Sequence, residues 1–162
     1  MGDVLDLCAG RPQQTFHAGE VILEEGARSG VLYVLASGRV EVLKGDLQIA
    51  TVDTPGAFFG EVSALLNLPH MATVRAVNDA TLFVAKDPLE FLQSQPAIAL
   101  SLARLLAQRL HSVTTYLVDL KRQFEGQENH LSMVDEVLET LVHHQGKKST
   151  PGSDRCPDPT VE

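Results

Sequence analysis

One segment of the chain combines residue types that can bind a phosphate. Gly60 stands directly before a stretch of helical character, residues 61–67, and Pro69 ends that stretch. A helix N-terminus presents unpaired N–H groups and a partial positive charge, so it can hold an anion. Gly60 allows the backbone to approach a ligand closely. Glu61 can accept hydrogen bonds from a sugar hydroxyl, or it can simply be a favourable charge at the helix start.

Outside this segment the sequence has no arrangement suited to catalysis. It contains no nucleophile-elbow sequence, no Walker loop and no helix with two zinc-binding histidines. His143 and His144 are adjacent, so on a helix they point to different sides and make a poor metal pair. Cys8 and Cys156 lie near opposite ends and suggest neither a disulfide framework nor a metal cluster. We therefore expect a protein that is not an enzyme and has no cofactor.

The elements that must position this segment are short strands. Residues 13–86 contain β-branched or alternating runs, which predict strands at 21–24, 31–36, 39–44, 48–53, 72–77 and 80–85. Turn dipeptides such as Ser37-Gly38 and Asn78-Asp79 separate them. Strands this short and this regularly interrupted favour a barrel or a sandwich.

Helices are predicted after the strands. Asp87 and Pro88 are typical of the start of a short helix, and Pro96 begins a longer one. Apolar residues of the longer helix are spaced four or three apart, as in a coiled-coil seam: Leu106, Leu110, Val113, Leu117, Leu120 and Phe124. We expect a homodimer through helix 96–124; the alternative is a single helix that packs on the barrel.

The last part of the chain differs in composition. Gly126 interrupts the long helix, and residues 130–145 then predict a further amphipathic helix. This helix either docks an unknown protein partner or folds back on its own dimer. Residues 146–162 are rich in polar residues and proline, which indicates a disordered tail. The predicted organisation is a domain at 1–124, a helix at 125–145 and a tail at 146–162.

Composition excludes several partners. The 162 residues are 44% hydrophobic and carry a net charge of −8. The acidic excess is concentrated in residues 125–162, which hold eight acids and three bases. A DNA-reading module would have to lie there, so we expect no DNA binding. No uncharged run is long enough to span a membrane, and the acidic N-terminus is no secretory signal. The prediction is a cytoplasmic protein without a membrane partner.

Segment 58–76 resembles the phosphate-binding cassette of the cyclic-nucleotide-binding domain family, of the catabolite activator and protein kinase A regulatory subunit type. The family pattern is Phe-Gly-Glu, an apolar and a small residue, Leu-Leu, a gap, and Pro-Arg-x-Ala-Thr-Val-Lys/Arg-Ala. Here it reads FGEVSALL and, after a gap, PHMATVRA. Upstream motifs in the same order, AGEVI, EG and YVLASGRV, extend the resemblance over about residues 13–124.

The resemblance implies an α+β fold that is mainly β. It consists of an antiparallel β-roll (a double-stranded β-helix, jelly-roll-like), with a short cassette helix and a long C-terminal dimerisation helix. It also implies a regulatory module that binds a cyclic nucleotide and signals by rearranging its helices. The residues carried over as ligand-binding are Phe59, Gly60, Glu61, Val62, Ser63, His70, Met71, Ala72, Val74 and Thr114.

His70 departs from the family pattern, because the cassette arginine that pairs with the cyclic phosphate falls at this position. Losing a charge-assisted hydrogen bond costs roughly 1.5–3 kcal/mol, or about 10- to 150-fold in affinity. Three interpretations follow: His70 is a weaker phosphate ligand, it marks a pocket for another ligand, or the fold is retained without its site. A phosphate contact predicts that binding strengthens between about pH 7.5 and 6.

The other cassette positions agree with ligand binding. Ser63 is small, as the cassette requires, and can add a hydroxyl to a phosphate oxygen. Met71 has no hydroxyl, whereas cyclic-GMP-selective relatives tend to have threonine there, so cyclic AMP is the expected ligand ahead of cyclic GMP. Thr114 matches a residue that reaches the adenine from the partner subunit's helix, or it is a solvated flank of the seam. Arg75 is expected to be a solvated charge. The alternative function is a domain without ligand that serves dimerisation and protein interaction.

Overall fold

The structure is a computed structural model that describes residues 3–124 and 128–143. Its strands are β1 (Gln13–Phe16), β2 (Val21–Leu23), β3 (Leu32–Ser37), β4 (Val40–Lys44), β5 (Leu47–Val52), β6 (Phe58–Phe59), β7 (Thr73–Ala76) and β8 (Ala80–Ala85). Its helices are α1 (Val4–Leu7), α2 (Glu61–Leu66), α3 (Pro88–Ser94), α4 (Pro96–Gln123) and α5 (Glu128–His143).

The strands form two antiparallel sheets, with the orders β1-β8-β3-β6 and β2-β7-β4-β5. The hydrophobic core takes side chains from both: Phe16, Leu35 and Leu82 come from the first sheet, and Val40 and Val74 from the second. The sheets therefore pack face to face. The predicted fold class, a mainly β roll with a short cassette helix and a long C-terminal helix, is confirmed.

All six predicted strands are present, and their ends agree with the prediction to within one residue. Strands β1 and β6 were not predicted. In β1 only Phe16 is buried, and β6 is two residues long, so neither shows alternation. Both are paired in the structure by neighbouring strands, β1 by β8 and β6 by β3.

Strand β5 is an edge strand with an irregular register. Val42 of β4 pairs with Ala50 of β5, but the next residue, Leu43, pairs with Gln48. Ile49 is therefore the extra residue of a β-bulge, which bends the strand and interrupts the hydrogen-bond ladder. Ile49 and Leu47 are both exposed.

The helices follow the predicted signals where the structure describes them. Asp87 Oδ1 accepts a hydrogen bond from the Glu90 N–H, which caps α3, and α4 begins at Pro96. The chain divides into two compact units, residues 1–102 and 103–162, and α4 runs from the first into the second. In the first unit, Ile98 and Leu102 are buried.

In the second unit, Lys121 of α4 forms an ion pair with Asp135 of α5. Helix α5 covers much of the predicted helix 130–145. Gly126 and the predicted tail at 146–162 lie outside the described residues. Within residues 3–124 and 128–143, no helix has the length and apolarity that crossing a membrane requires.

Candidate functional site

The cassette, residues 58–76, begins with a backbone geometry that only glycine fits. Gly60 caps α2 with a φ of +84°, in the left-handed region. A Cβ atom at this position would lie 2.6 Å from the carbonyl oxygen of Val31. The left-handed backbone and the close approach both exclude a side chain here. They set the start of α2 directly against the residue that precedes β3.

Burial of polar groups is concentrated in the cassette. Among the described residues, the buried polar or charged side chains are Glu61, Ser63 and His70, each 5–7% exposed. Buried polar groups cost free energy unless they are hydrogen-bonded, and no buried side-chain nitrogen or oxygen of the described chain is without a partner. Three of the predicted site residues, all within the cassette segment, are therefore buried.

His70 makes side-chain and backbone hydrogen bonds to the loop after β2. Its Nε2 lies 2.7 Å from Ser29 Oγ and 3.4 Å from the Ser29 nitrogen. Its backbone N–H donates to the Ala27 carbonyl at 2.9 Å, and its carbonyl accepts from the Gly26 N–H at 2.8 Å. Burial lowers the pKa of His70 below its usual 6.5, because a desolvated imidazolium is disfavoured. The imidazole is thus neutral at pH 7 and already engaged.

A second cluster joins the end of the cassette to the ends of β2 and β4; we call it the Lys44 cluster (Glu25, Lys44, Gly45, Met71 and Thr73). Lys44 Nζ donates to the Met71 carbonyl at 2.7 Å and lies 2.8 Å from Glu25 Oε1. Glu25 Oε2 accepts from the Gly45 N–H at 2.9 Å, and the Glu25 N–H donates to Thr73 Oγ1 at 3.1 Å. The hydrogen bonds from Lys44 and Gly45 lower the pKa of Glu25.

The remaining cassette positions have different environments. Phe59 and Val74 belong to the hydrophobic core, whereas Met71 is 60% exposed. Val62 and Ala72 are half-buried. Arg75, expected to be a solvated charge, has a side chain that is 42% exposed but also has a charged partner. It is half-buried and paired across the sheet with Glu41, whose Oε1 lies 2.7 Å from Arg75 Nε, because Arg75 and Glu41 are directly opposite in β7 and β4.

Thr114 belongs to the second compact unit. Its hydroxyl donates to the Leu110 carbonyl in the preceding turn of α4, at 2.8 Å. Leu110 and Val113 of the predicted seam are about half exposed, and Leu106, Leu117 and Leu120 are partly buried. Thr114 stays a predicted ligand contact.

Ser29, Glu25 and Lys44 were not identified from the sequence. Ser29 and His70 are 41 residues apart, and Lys44 and Met71 are 27 apart. The one available signal was the turn glycine beside each, Gly26, Gly30 and Gly45, which marks the loops that meet the cassette.

The structure adds no metal site: within its described residues, no group of three or more potential metal ligands lies together. Cys8 is a buried thiol whose pKa is raised by burial.

Comparison with known proteins agrees with this geometry. Residues 13–92 match the family model described as the cyclic nucleotide-binding domain. An uncharacterized ABC transporter ATP-binding protein of Mycobacterium tuberculosis is 40% identical over 77 residues, which cover 44% of this chain and 23% of that protein. The cyclic AMP receptor protein of Thermus thermophilus is 32% identical over 104 residues, which cover 60% of this chain and 48% of that protein.

The crystal structure of the Thermus thermophilus catabolite activator protein superposes with a TM-score of 0.64 at 29% identity. The match covers 75% of this chain and 60% of that one. The chain spans less than half of the length of the two sequence relatives above, so it corresponds to one part of each.

Proposed function

Because the chain belongs, through residues 13–92, to the cyclic nucleotide-binding domain family, we propose that it is a regulatory module that binds a cyclic nucleotide of the cyclic AMP type. The observation that supports this most directly is the start of the cassette. Gly60 holds the N-terminus of α2 in a left-handed cap, with Glu61 and Ser63 buried behind it. This arrangement offers N–H groups to a phosphate and a carboxylate to a ribose hydroxyl.

The proposed mechanism is a population shift in a homodimer. A ligand that contacts the cassette and α4 differently in two helix arrangements favours one of them, and a partner protein then recognises that arrangement. The half-exposed seam residues Leu110 and Val113 support pairing of α4 with a second copy. Helix α5 is the proposed partner-facing element. The proposal includes neither catalysis nor binding to DNA or a membrane, and it locates the protein in the cytoplasm.

One observation favours a second candidate, a domain that has lost its ligand and serves only dimerisation and protein docking. The neutral imidazole of His70 is already bound to Ser29. It therefore differs in both charge and hydrogen bonding from the arginine that the family cassette directs at the phosphate.

Calorimetric titration with cyclic AMP and cyclic GMP at pH 6.5 tests the two candidates, with wild type and His70→Arg side by side. The sensor proposal expects heat in the wild type, with cyclic AMP ahead, and binding about tenfold or more tighter in His70→Arg. Binding heat in His70→Arg but not in the wild type supports the second candidate, the domain that no longer binds a ligand. Heat in neither, with both proteins folded by circular dichroism, contradicts ligand binding at this cassette.

A further inference from the structure

Because His70 is neutral and already hydrogen-bonded to Ser29, the negative charge of the ligand needs a different cation as its partner. We propose that Lys44 is the ligand-binding cation of this cassette and that it makes the site selective for an anionic nucleotide over the neutral nucleoside. This inference rests on the proposed function, since it names the residue that recognises the charged group of that ligand.

The strand register places Lys44 on the inner face of the roll. Side chains alternate along a strand, so Val40, Val42 and Lys44 of β4 share one face. Val40 is fully buried and Val42 packs against the core. Lys44 continues this row at the last residue of β4, where its side chain is 58% exposed. It is therefore a cation at the open end of the inner face.

The contacts of Lys44 direct its ammonium to the cassette. Nζ donates to the carbonyl of Met71, the residue after His70, at 2.7 Å, and it pairs with Glu25 Oε1 at 2.8 Å. An ammonium group has three N–H donors, and these two contacts use two of them. A third donor is left for an anion bound over the cassette.

Arg28, which contacts the cassette, and Arg75, which belongs to it, are placed differently. Arg28 is exposed and donates to the carbonyl of Asn67, the residue that ends α2, at 3.0 Å. Arg75 is on the strand face opposite to the buried Val74 and is paired with Glu41. Of these three cations, Lys44 is the one that combines a cassette contact with the inner-face row of β4.

The test measures the dissociation constants of cyclic AMP and adenosine for the wild type, Lys44→Met, Lys44→Arg and Glu25→Gln. We expect Lys44→Met to weaken cyclic AMP binding about tenfold or more while adenosine binding changes less than twofold. Lys44→Arg keeps most of the selectivity. Glu25→Gln strengthens cyclic AMP binding, because it removes the carboxylate that competes for the ammonium. Lys86→Met, which removes an exposed lysine directly after β8, serves as the matched control and binds as wild type.

Weaker cyclic AMP binding in Lys44→Met together with stronger binding in Glu25→Gln indicates that Lys44 contacts the ligand. If the Lys44–Glu25 ion pair only supported the fold, its loss would weaken cyclic AMP binding in both variants. The proposal is overturned if Lys44→Met binds cyclic AMP as well as wild type, if it loses cyclic AMP and adenosine equally, or if Lys86→Met has the same effect. If adenosine binds too weakly to measure, the signs of the two cyclic AMP effects decide. If the wild type binds no cyclic nucleotide, the proposed function itself is contradicted. If cyclic AMP binding is present but unchanged in Lys44→Met, only the role of Lys44 is contradicted.

Discussion

His70 Nε2 lies 2.7 Å from Ser29 Oγ, and this contact fastens the cassette to the loop between β2 and β3. The two backbone hydrogen bonds of His70, to Ala27 and Gly26, support the same connection. His70 therefore has a structural partner before any ligand arrives. A ligand that uses the imidazole must compete with Ser29 for it.

Ser29→Ala should destabilise the fold by about 1–3 kcal/mol, because it removes the side-chain partner of a buried imidazole nitrogen. Urea denaturation, followed by circular dichroism, measures the loss. The control is Ser101→Ala, because Ser101 donates to the Ala97 carbonyl on an exposed part of α4; its effect should stay within about 0.5 kcal/mol. Equal losses in the two variants would contradict a specific role for Ser29.

The lowered pKa of His70 predicts a stability that depends on pH. In the unfolded chain the imidazole takes up a proton near pH 6.5, whereas in the folded chain it does so only at lower pH. The unfolded state therefore binds more protons between these two values, and stability is lost as the pH falls below 6.5. Thermal melts between pH 5 and 8 should show this loss in the wild type and less of it in His70→Gln. Identical profiles would count against a buried, neutral His70.

Because the pKa of His70 is lowered, the imidazole of the free protein takes up a proton at a lower pH than an unperturbed histidine does. Binding that depends on imidazolium should strengthen mainly below pH 6.5, rather than across the range of 7.5 to 6 that an unperturbed histidine implies. Titrations with cyclic AMP at pH 7.5, 6.5 and 5.5 locate the range. A constant affinity for cyclic AMP down to pH 5.5 would mean that His70 does not contact the phosphate.

Gly60→Ala should disrupt the start of α2. The substitution costs about 1–2 kcal/mol for the left-handed backbone, and the new Cβ would also lie 2.6 Å from the Val31 carbonyl oxygen. Gly10→Ala is a matched control, since Gly10 has nearly the same φ, +83°, with open space around its Cβ position. The difference in unfolding free energy between the two variants measures the close approach. A Gly60 variant as stable as the Gly10 variant would contradict it.

Glu25 predicts a second dependence on pH, at lower values. Its pKa is lowered below 4.5 by the hydrogen bonds from Lys44 and Gly45. The Lys44 cluster should therefore contribute stability above pH 4.5 and lose it as the pH falls through the folded-state pKa. Melting temperatures between pH 3 and 6 should fall less steeply in Glu25→Gln than in the wild type. Parallel curves would show that the carboxylate is not held as described.

The sequence predicted the strands well because turn residues bound each one, and β7 also alternates in burial. It predicted the short helix α2 because Gly60, the helical run that follows it and Pro69 are close in sequence. It did not predict Ser29 with His70, or Lys44 with Met71, because these pairs form only when distant loops meet. The sequence does not predict the partner of Arg75 for a related reason: Glu41 is placed opposite it by the register of β4 and β7.

The bulge at Ile49 has a consequence for how molecules of this protein meet one another. An edge strand with free N–H and C=O groups is a template on which a foreign strand can add. On β5 the regular ladder is broken after Ala50, where the pairing with β4 skips Ile49. A strand that added to this edge would lose its register within a few residues. The exposed Leu47 and Ile49 can thus face water at the rim of the sheet without seeding a continuous fibre.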